Sequence, residues 1–276
     1  MIVSIIFQLY FSFLLHINLE EIINQVSTND NYLLYLKILQ IISSIAIFII
    51  PVLLFHNFKS ENFVEQTGLK RAPHLQMLTI LILILISSGT VAGWLNEINQ
   101  LIQLPELIQN WVLTKEKEAE ELLKIFLQMK HPSDFLLNLI MIGVLPAIGE
   151  EFMFRGTLQA LFNKWFKNEH WAIFITAIVF SAIHIQFMGF LPRFAMGVLF
   201  GYLYIWSNNL WYPIIAHFLY NSTQVILLYA FQLKIIATNI DNIEHIPLNI
   251  LLLSIVILIF SSFLFYKNGK RLGKNF

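Results

Sequence analysis

Residues 136–162 read LLNLIMIGVLPAIGEEFMFRGTLQALF, and this stretch decides the fold class. It is long and apolar enough to cross a membrane as a helix, yet Glu150, Glu151 and Arg155 lie near its middle. One charge at the centre of a membrane helix costs about 3 kcal/mol, so three cost on the order of 9 kcal/mol. A chain tolerates such a cluster when the charges are paired, face a wet cavity or do chemistry. Function is therefore sought there first.

The apolar pattern continues on both sides of this stretch. Eight segments approach the roughly 20 residues that a helix needs to cross the hydrocarbon core. The predicted spans are 2–18, 32–55, 76–95, 135–163, 171–188, 190–206, 210–231 and 247–266. Turn-forming clusters such as Pro132-Ser133-Asp134 and Ser207-Asn208-Asn209 separate them. The sequence predicts an all-α polytopic protein, with residues 1–276 forming a single integral membrane domain of about eight transmembrane helices.

Composition supports a membrane protein and excludes several function classes. The chain is 57% hydrophobic, against roughly 45–50% for soluble domains, and its mean hydropathy is +0.69. Its net charge of zero argues against a nucleic-acid surface. The absence of cysteine excludes disulfides, thiolate metal sites and a cysteine nucleophile. Residues 2–18 lack a basic n-region and a small-residue cleavage site, which favours a retained helix over a signal peptide.

Lysine and arginine concentrate in alternate loops. The loop 57–71, the linker with Lys164 and Lys167, and the tail 267–276 are basic, whereas the loops 19–31 and 232–246 are acidic or nearly free of basic residues. With eight spans, all the basic loops fall on one side. Because basic loops stay inside the cell, we expect a multi-pass cell-membrane protein with both termini in the cytoplasm.

The segment 114–130, TKEKEAEELLKIFLQMK, differs from the predicted spans. Its apolar residues form a stripe at helical spacing, opposite charge pairs such as Glu120 and Lys124. The stripe consists of Leu122, Leu123, Ile125, Phe126 and Met129. The segment is a helix either on the outer membrane surface or in solvent as a connector.

Helical spacing separates the two central glutamates. Glu151 and Arg155 are four residues apart and share a helix face, so we expect an ion pair between them. Glu150 lies about 100° around the helix and is poorly placed for the same bond. Glu151 is thus predicted to be neutralised, while Glu150 points elsewhere. An alternative is that both acids bond polar groups on neighbouring helices.

Two later spans add polar side chains at membrane depth. The fifth ends at His184, and the seventh carries His217 and Asn221 four residues apart on one face. Each alone has an ordinary explanation, because His and Asn also hold membrane helices together by hydrogen bonds. Combined with the glutamates, they supply a carboxylate, two imidazoles and an amide, which suffices for hydrolysis. On the sixth span, Gly197 and Gly201 predict close approach of another helix.

In this order along the chain, the patterns EExxxR, FxxxH, a glycine-spaced helix and HxxxN resemble the CPBP family. This family comprises CAAX proteases and bacteriocin-processing enzymes and is also called the Abi family. The matching residues are Glu150, Glu151, Arg155, Phe180, His184, Gly197, Gly201, His217 and Asn221. The resemblance covers about 135–230, which corresponds to the family's four-helix catalytic core.

The resemblance implies an intramembrane glutamate endopeptidase with its cavity open to the cytoplasm. Glu150 and His184 would activate water, and His217 and Asn221 would form the oxyanion site. Glu151 and Arg155 would hold the helix and the cavity in shape. The substrate would be a peptide or a membrane-anchored protein in the lipid bilayer, and this mechanism needs no cofactor or metal. Nucleic acid is not an expected partner.

Three alternatives remain open from the sequence. A divalent metal could be held by Glu150, His184 and His217, although no HExxH motif is present. The same fold could serve as a non-catalytic membrane scaffold or a bacteriocin-immunity protein, which would have no need for all four polar groups. Paired acids at depth are also found in small transporters, but inverted repeats are not evident here.

Overall fold

The computed structural model describes residues 26, 30–237 and 245–273. All regular secondary structure in these residues is helical, which confirms the all-α fold class. The predicted first span, 2–18, lies outside the described residues.

We number the helices of the described residues α1 to α9. Seven of them are single segments: α2, Phe63–Gln66; α3, Leu75–Gln100; α4, Glu106–Phe126; α6, Glu169–Ala182; α7, Phe190–Ser207; α8, Trp211–Gln232; and α9, Leu248–Gly273. The helix α1 is composed of three consecutive segments, Asp30–Ser44, Ile45–Ile49 and Ile50–Phe58. The helix α5 is composed of five, Pro132–Asn138, Leu139–Val144, Leu145–Glu151, Phe152–Leu158 and Gln159–Phe166. Three of these segments are π-helical: Ile45–Ile49, Leu139–Val144 and Phe152–Leu158.

Six of the described helices are long and apolar enough to span a membrane: α1, α3, α5, α7, α8 and α9. They correspond to six of the eight predicted spans, and the chain is a multi-pass membrane protein.

The predicted span 171–188 is too long at its C-terminal end. The helix α6 has 14 residues and rises only about 21 Å. Asn168 caps its start by accepting hydrogen bonds from the amides of His170 and Trp171. After Ala182 the chain turns, because Ile185 adopts a left-handed conformation with φ +49°. His184 therefore lies in a turn just beyond the helix, where apolar composition alone could not mark the boundary.

One end of the helical bundle gathers three of the loops. Lys164 Nζ lies 3.8 Å from Glu61 Oε1, which joins the end of α5 to the loop after α1. Asn209 Nδ2 donates to the carbonyl oxygen of Arg71 at 2.9 Å, which joins the loop after α7 to the same region. Two of these three, the loop 57–71 and the linker with Lys164, are predicted basic loops.

The opposite end gathers the remaining described loops. Gln232 Oε1, at the end of α8, accepts from the backbone amide of Met129 at 3.2 Å. Glu97 Oε1, near the end of α3, accepts from the amide of Ile246 at 2.7 Å. The loops therefore divide between two ends as the topology requires. Which end faces the cytoplasm stays a prediction.

The segment predicted as a separate helix belongs to α4. Four of its five predicted stripe residues are buried: Leu122, Ile125, Phe126 and Met129. Near the other end of α4, Leu107 and Trp111 are exposed. The predicted Glu120–Lys124 pair forms, with 2.6 Å between Glu120 Oε1 and Lys124 Nζ. The helix is confirmed, and the choice between membrane surface and solvent stays open.

Candidate active site

The ion pair predicted within α5 is present and completely buried. Arg155 Nη1 donates to Glu151 Oε1 at 2.7 Å, and both side chains are 0% exposed. The second guanidinium nitrogen, Nη2, donates to the carbonyl oxygen of Gly197 on α7 at 3.0 Å. The guanidinium also lies over the Phe180 ring, 4.7 Å from its centroid. Arg155 thus fastens α5 to α7 in an environment where an unpaired charge would be very costly.

The glycines of α7 admit the polar side chains of α5. A Cβ added at Gly197 would lie 3.0 Å from the Cβ of Ala177 on α6, so the two helices are already in close contact. One turn along, Gln159 Nε2 donates to the Gly201 carbonyl oxygen at 3.3 Å. The expected close approach at both glycines is confirmed. It also leaves their carbonyls open to side chains of α5.

His217 lies between the two glutamates. Its Nδ1 is 2.9 Å from Glu151 Oε1, and its Nε2 is 3.9 Å from Glu150 Oε2. The imidazole stacks on the Phe200 ring with centroids 5.2 Å apart. Because the Glu151 carboxylate accepts, Nδ1 carries a proton. The doubly protonated ring would then present a second N–H towards Glu150.

Glu150 is buried but differs from Glu151 in its partners. It is 3% exposed and accepts no hydrogen bond from the described residues. Its nearest charged neighbour among them is His217. The resemblance pairs Glu150 with His184 for the activation of water, and the structure places the His217 Nε2 3.9 Å from Glu150. Helical spacing separated the glutamates but could not show which imidazole would lie closer.

One ring nitrogen of His184 has no hydrogen-bond partner among the described residues. Its Nδ1 donates to the carbonyl oxygen of Phe180, one helical turn earlier, at 2.7 Å. In the neutral ring this leaves Nε2 without a proton and able to accept one. The Phe180 ring contacts both candidate imidazoles, with centroids 5.2 Å from His184 and 6.3 Å from His217. No ion pair joins His184 to Glu150 in the described part of the chain.

Asn221 bonds α5 next to its proline. Pro146 has no N–H, so it cannot bond the carbonyl of Ile142 one turn earlier. That carbonyl oxygen accepts from Asn221 Nδ2 at 3.0 Å instead. Ile142 lies in the π-helical segment Leu139–Val144, and such segments often accompany functional sites. One amide hydrogen of Asn221 is thus committed to the backbone, and its second remains for a ligand.

The described residues do not assemble a metal centre. Among the described residues, no group of three His, Asp or Glu side chains could hold an ion. Glu150, His184 and His217, the set considered from the sequence, do not form one. We therefore derive no step through a metal.

Sequence reasoning missed Gln159, and also Asn99, which binds the turn after His184. Asn99 Nδ2 donates to the carbonyl oxygen of Phe187, and Asn99 Oδ1 accepts from the amide of Leu191, both at 2.7 Å. Neither residue belongs to a motif. The only signal for them is an uncharged amide in an otherwise apolar stretch, which is also common at packing contacts.

The chain is similar to membrane peptidases in the region that contains this site. Residues 132–223 match the family described as type II CAAX prenyl endopeptidase Rce1-like. The "Putative membrane peptidase YdiL" of Bacillus subtilis is 33% identical over 92 residues, which cover 33% of this chain and 37% of that protein. The uncharacterized protein YpbD of the same organism is 30% identical over 86 residues, covering 30% and 41% respectively.

The aligned part thus spans about two fifths of the length of the curated relatives it matches. No solved structure matches the chain. The matched range, 132–223, includes all six candidate site residues: Glu150, Glu151, Arg155, His184, His217 and Asn221. The resemblance to the CPBP family is confirmed.

Proposed function

We propose that this chain, which carries a CPBP-family core at residues 132–223, is an intramembrane endopeptidase. Its substrate is a peptide or a membrane-anchored protein, and its four-helix catalytic core occupies about 135–230. The observation that carries the proposal is the unequal pairing of the two buried glutamates. Glu151 is held by Arg155 and His217, whereas Glu150 accepts no hydrogen bond from the described residues. Burying a carboxylate that accepts no hydrogen bond has a high free-energy cost, and such groups are concentrated at functional sites.

The proposed reaction is hydrolysis by an activated water molecule. Glu150 takes a proton from water, and the Nε2 of His184 is a second possible proton acceptor. The water oxygen bonds to the carbonyl carbon of the scissile peptide and forms a tetrahedral oxyanion. The C–N bond then breaks, and the proton held by Glu150 passes to the departing amine. The products are a carboxylic acid and an amine; the proton of the acid then passes to the amine, which gives a carboxylate and an ammonium group. No external oxidant or reductant is needed.

His217 and Asn221 are the proposed donors to the oxyanion. The His217 Nε2 lies on the Glu150 side of the ring, because its Nδ1 is held by Glu151. Asn221 keeps one amide hydrogen beyond the bond to Ile142. A single preset donor to an oxyanion is worth about 3 kcal/mol in an apolar site. Glu151 and Arg155 take no part in proton transfer and fix the positions of His217 and α7.

The test is comparative peptidomics of cells that carry the wild type or Glu150→Gln. The glutamine is nearly isosteric but cannot accept the proton of water, so cleavage should fall by at least about 100-fold with unchanged folded yield. Glu65→Gln is the matched control, because Glu65 is exposed and pairs only with Lys70 at the surface. Peptides that accumulate in Glu150→Gln cells alone would identify the substrate. An unchanged peptide profile would contradict the proposal and favour a scaffold or immunity protein.

A further inference from the structure

The turn after His184 is fastened to a helix that carries none of the site residues. Asn99, in the last turn of α3, is 1% exposed. Its amide bonds the backbone at two points: Nδ2 donates to the carbonyl oxygen of Phe187 in the turn, and Oδ1 accepts from the amide of Leu191 in the first turn of α7. Both distances are 2.7 Å. Asn99 thus binds the end of the turn and the start of α7 at once.

The turn itself holds a strained conformation. Ile185, directly after His184, has φ +49°, in the left-handed region that β-branched residues avoid. Strained backbone persists only where surrounding contacts hold it, and it is often found at functional sites. The Ile185 side chain is 38% exposed, so its own packing does not hold it. The restraint must come from the bonds around the turn.

Three other side chains complete this restraint. Ser181 Oγ donates to the carbonyl oxygen of Phe190 at 2.8 Å, which closes the loop across nine residues. Glu116 Oε1, on α4, accepts from the amide of Met188 at 2.9 Å. The Arg193 guanidinium donates to the carbonyl oxygen of Gln186.

Asn99 connects parts of the structure that these three residues do not. Ser181 and Arg193 lie close to the turn in sequence, so their bonds are local. Glu116, on α4, bonds the amide of Met188. Asn99 is almost fully buried, bonds both the turn and the start of α7, and connects them to α3, which packs against α7, α8 and α9. It therefore links the position of the turn to the hydrophobic core.

We propose that Asn99 is a positioning residue that fixes the His184 imidazole through the turn 183–189. The part of this proposal that concerns turnover rests on the endopeptidase function proposed above. When Asn99 is removed, Ile185 is free to leave the left-handed region. The backbone at His184 then rotates, and the Nδ1 bond to Phe180 is lost. The ring no longer presents Nε2 in a fixed direction.

The main variant is Asn99→Leu, whose side chain has a similar volume but cannot bond Phe187 or Leu191. Asn99→Asp is a second, nearly isosteric variant that keeps an acceptor for Leu191 but loses the donor to Phe187. The matched control is Ser88→Ala on the same helix, because the buried Ser88 hydroxyl bonds only the Leu85 carbonyl within α3. A rescue variant adds Ile185→Asn, since asparagine tolerates the left-handed region.

The direct readout is nitrogen-15 NMR of histidine-labelled full-length protein, with the His184 signal assigned by its loss in His184→Gln. The wild type and Ser88→Ala should show the Nδ1–H tautomer of His184. Asn99→Leu and Asn99→Asp should lose it, and Ile185→Asn should restore it in the Asn99→Leu background. An unchanged His184 signal in both Asn99 variants would overturn the proposal.

The second readout is cleavage of the peptide found by peptidomics. A shift of about 1 Å in a catalytic group can cost on the order of 100-fold, so kcat should fall about 10- to 100-fold in Asn99→Leu with little change in KM. Equal losses in Ser88→Ala would overturn the positioning role. If the wild type shows no Glu150-dependent cleavage, the endopeptidase proposal fails, and the NMR readout still decides the role of Asn99.

Discussion

At the level of single residues, the neighbouring glutamates of α5 differ because a helix turns by about 100° per residue. Glu151 faces Arg155 on its own helix and His217 on α8. Glu150 faces away from the guanidinium and has the Nε2 of His217 at 3.9 Å. One carboxylate therefore stabilises the site, and we propose that the other reacts.

Removing either partner of the buried ion pair should destabilise the protein. Glu151→Gln removes the charge that pairs with Arg155 in an apolar interior, and Arg155→Met leaves Glu151 with His217 as its remaining partner. Each change should cost about 3–5 kcal/mol, which lowers folded yield and the thermal unfolding midpoint in detergent. The double variant Glu151→Gln/Arg155→Met should recover part of that loss, because no charge is stranded. Full folded yield in either single variant would contradict the structural role of the pair.

Activity should survive the removal of divalent metals. The polar side chains of the site do not converge as a set of three ligands among the described residues, and the proposed reaction needs only Glu150 and the imidazoles. Purified protein treated with a chelator and dialysed should keep its wild-type rate of peptide cleavage. A loss of activity that zinc restores would contradict a reaction without a metal.

At the level of elements, the shape of α5 depends on other helices. Pro146 cannot bond Ile142, and the amide of Asn221 on α8 takes the place of that bond. Arg155 and Gln159 then reach the carbonyls of Gly197 and Gly201 on α7. The helix that carries both glutamates is thus held by polar bonds from α7 and from α8.

Replacing Gly197 with alanine should destabilise the protein, whereas the same change at another helix glycine should not. At Gly197 an added Cβ would lie 3.0 Å from the Cβ and 3.2 Å from the Cα of Ala177, and this backbone cannot move aside easily. Gly197→Ala should therefore cost about 1–3 kcal/mol.

Gly89→Ala on α3 is the control, because an added Cβ at Gly89 would meet nothing within 4 Å. Alanine also favours a helix over glycine by about 1 kcal/mol, so this variant should be neutral or stabilising. Thermal unfolding in detergent compares the two. Equal midpoints in both variants would show that the close approach of α6 and α7 does not limit stability.

At the level of the whole molecule, the loops divide between two ends of the bundle, and their charges predict which end is cytoplasmic. The protein has no cysteine, so single cysteines can be placed freely. Lys70 and Lys117 are exposed, with 58% and 78% of their side-chain surface accessible, and they belong to opposite ends.

A membrane-impermeant maleimide should label Lys117→Cys in intact cells and Lys70→Cys only after the membrane is opened. This result follows from the excess of lysine and arginine in the loop 57–71 and the C-terminal tail. The reverse labelling pattern would show that the loop 57–71 lies outside the cell. It would also place the basic loops on the side opposite to the one that their charge predicts.

Features that depend on local spacing could be predicted from the sequence. Apolar length marked six of the spanning helices, and the four-residue spacing of Glu151 and Arg155 indicated their ion pair. The end of α6 could not be predicted, because the left-handed residue of the turn is Ile185 and not the glycine that usually occupies such a position. The bond from Asn221 to Ile142 was also beyond prediction, since the two residues lie 79 positions apart in the chain.

The sequence by itself determined that the chain forms membrane helices and that three charges lie inside one of them. Hydrophobicity and helical periodicity are local properties, so both conclusions can be read from short stretches. Only the tertiary structure decided that His217 lies between the two glutamates and that Asn99 holds the turn after His184. These contacts join helices that are distant in sequence. Their geometry depends on how the helices pack against one another, and a single sequence does not encode that packing in any readable pattern.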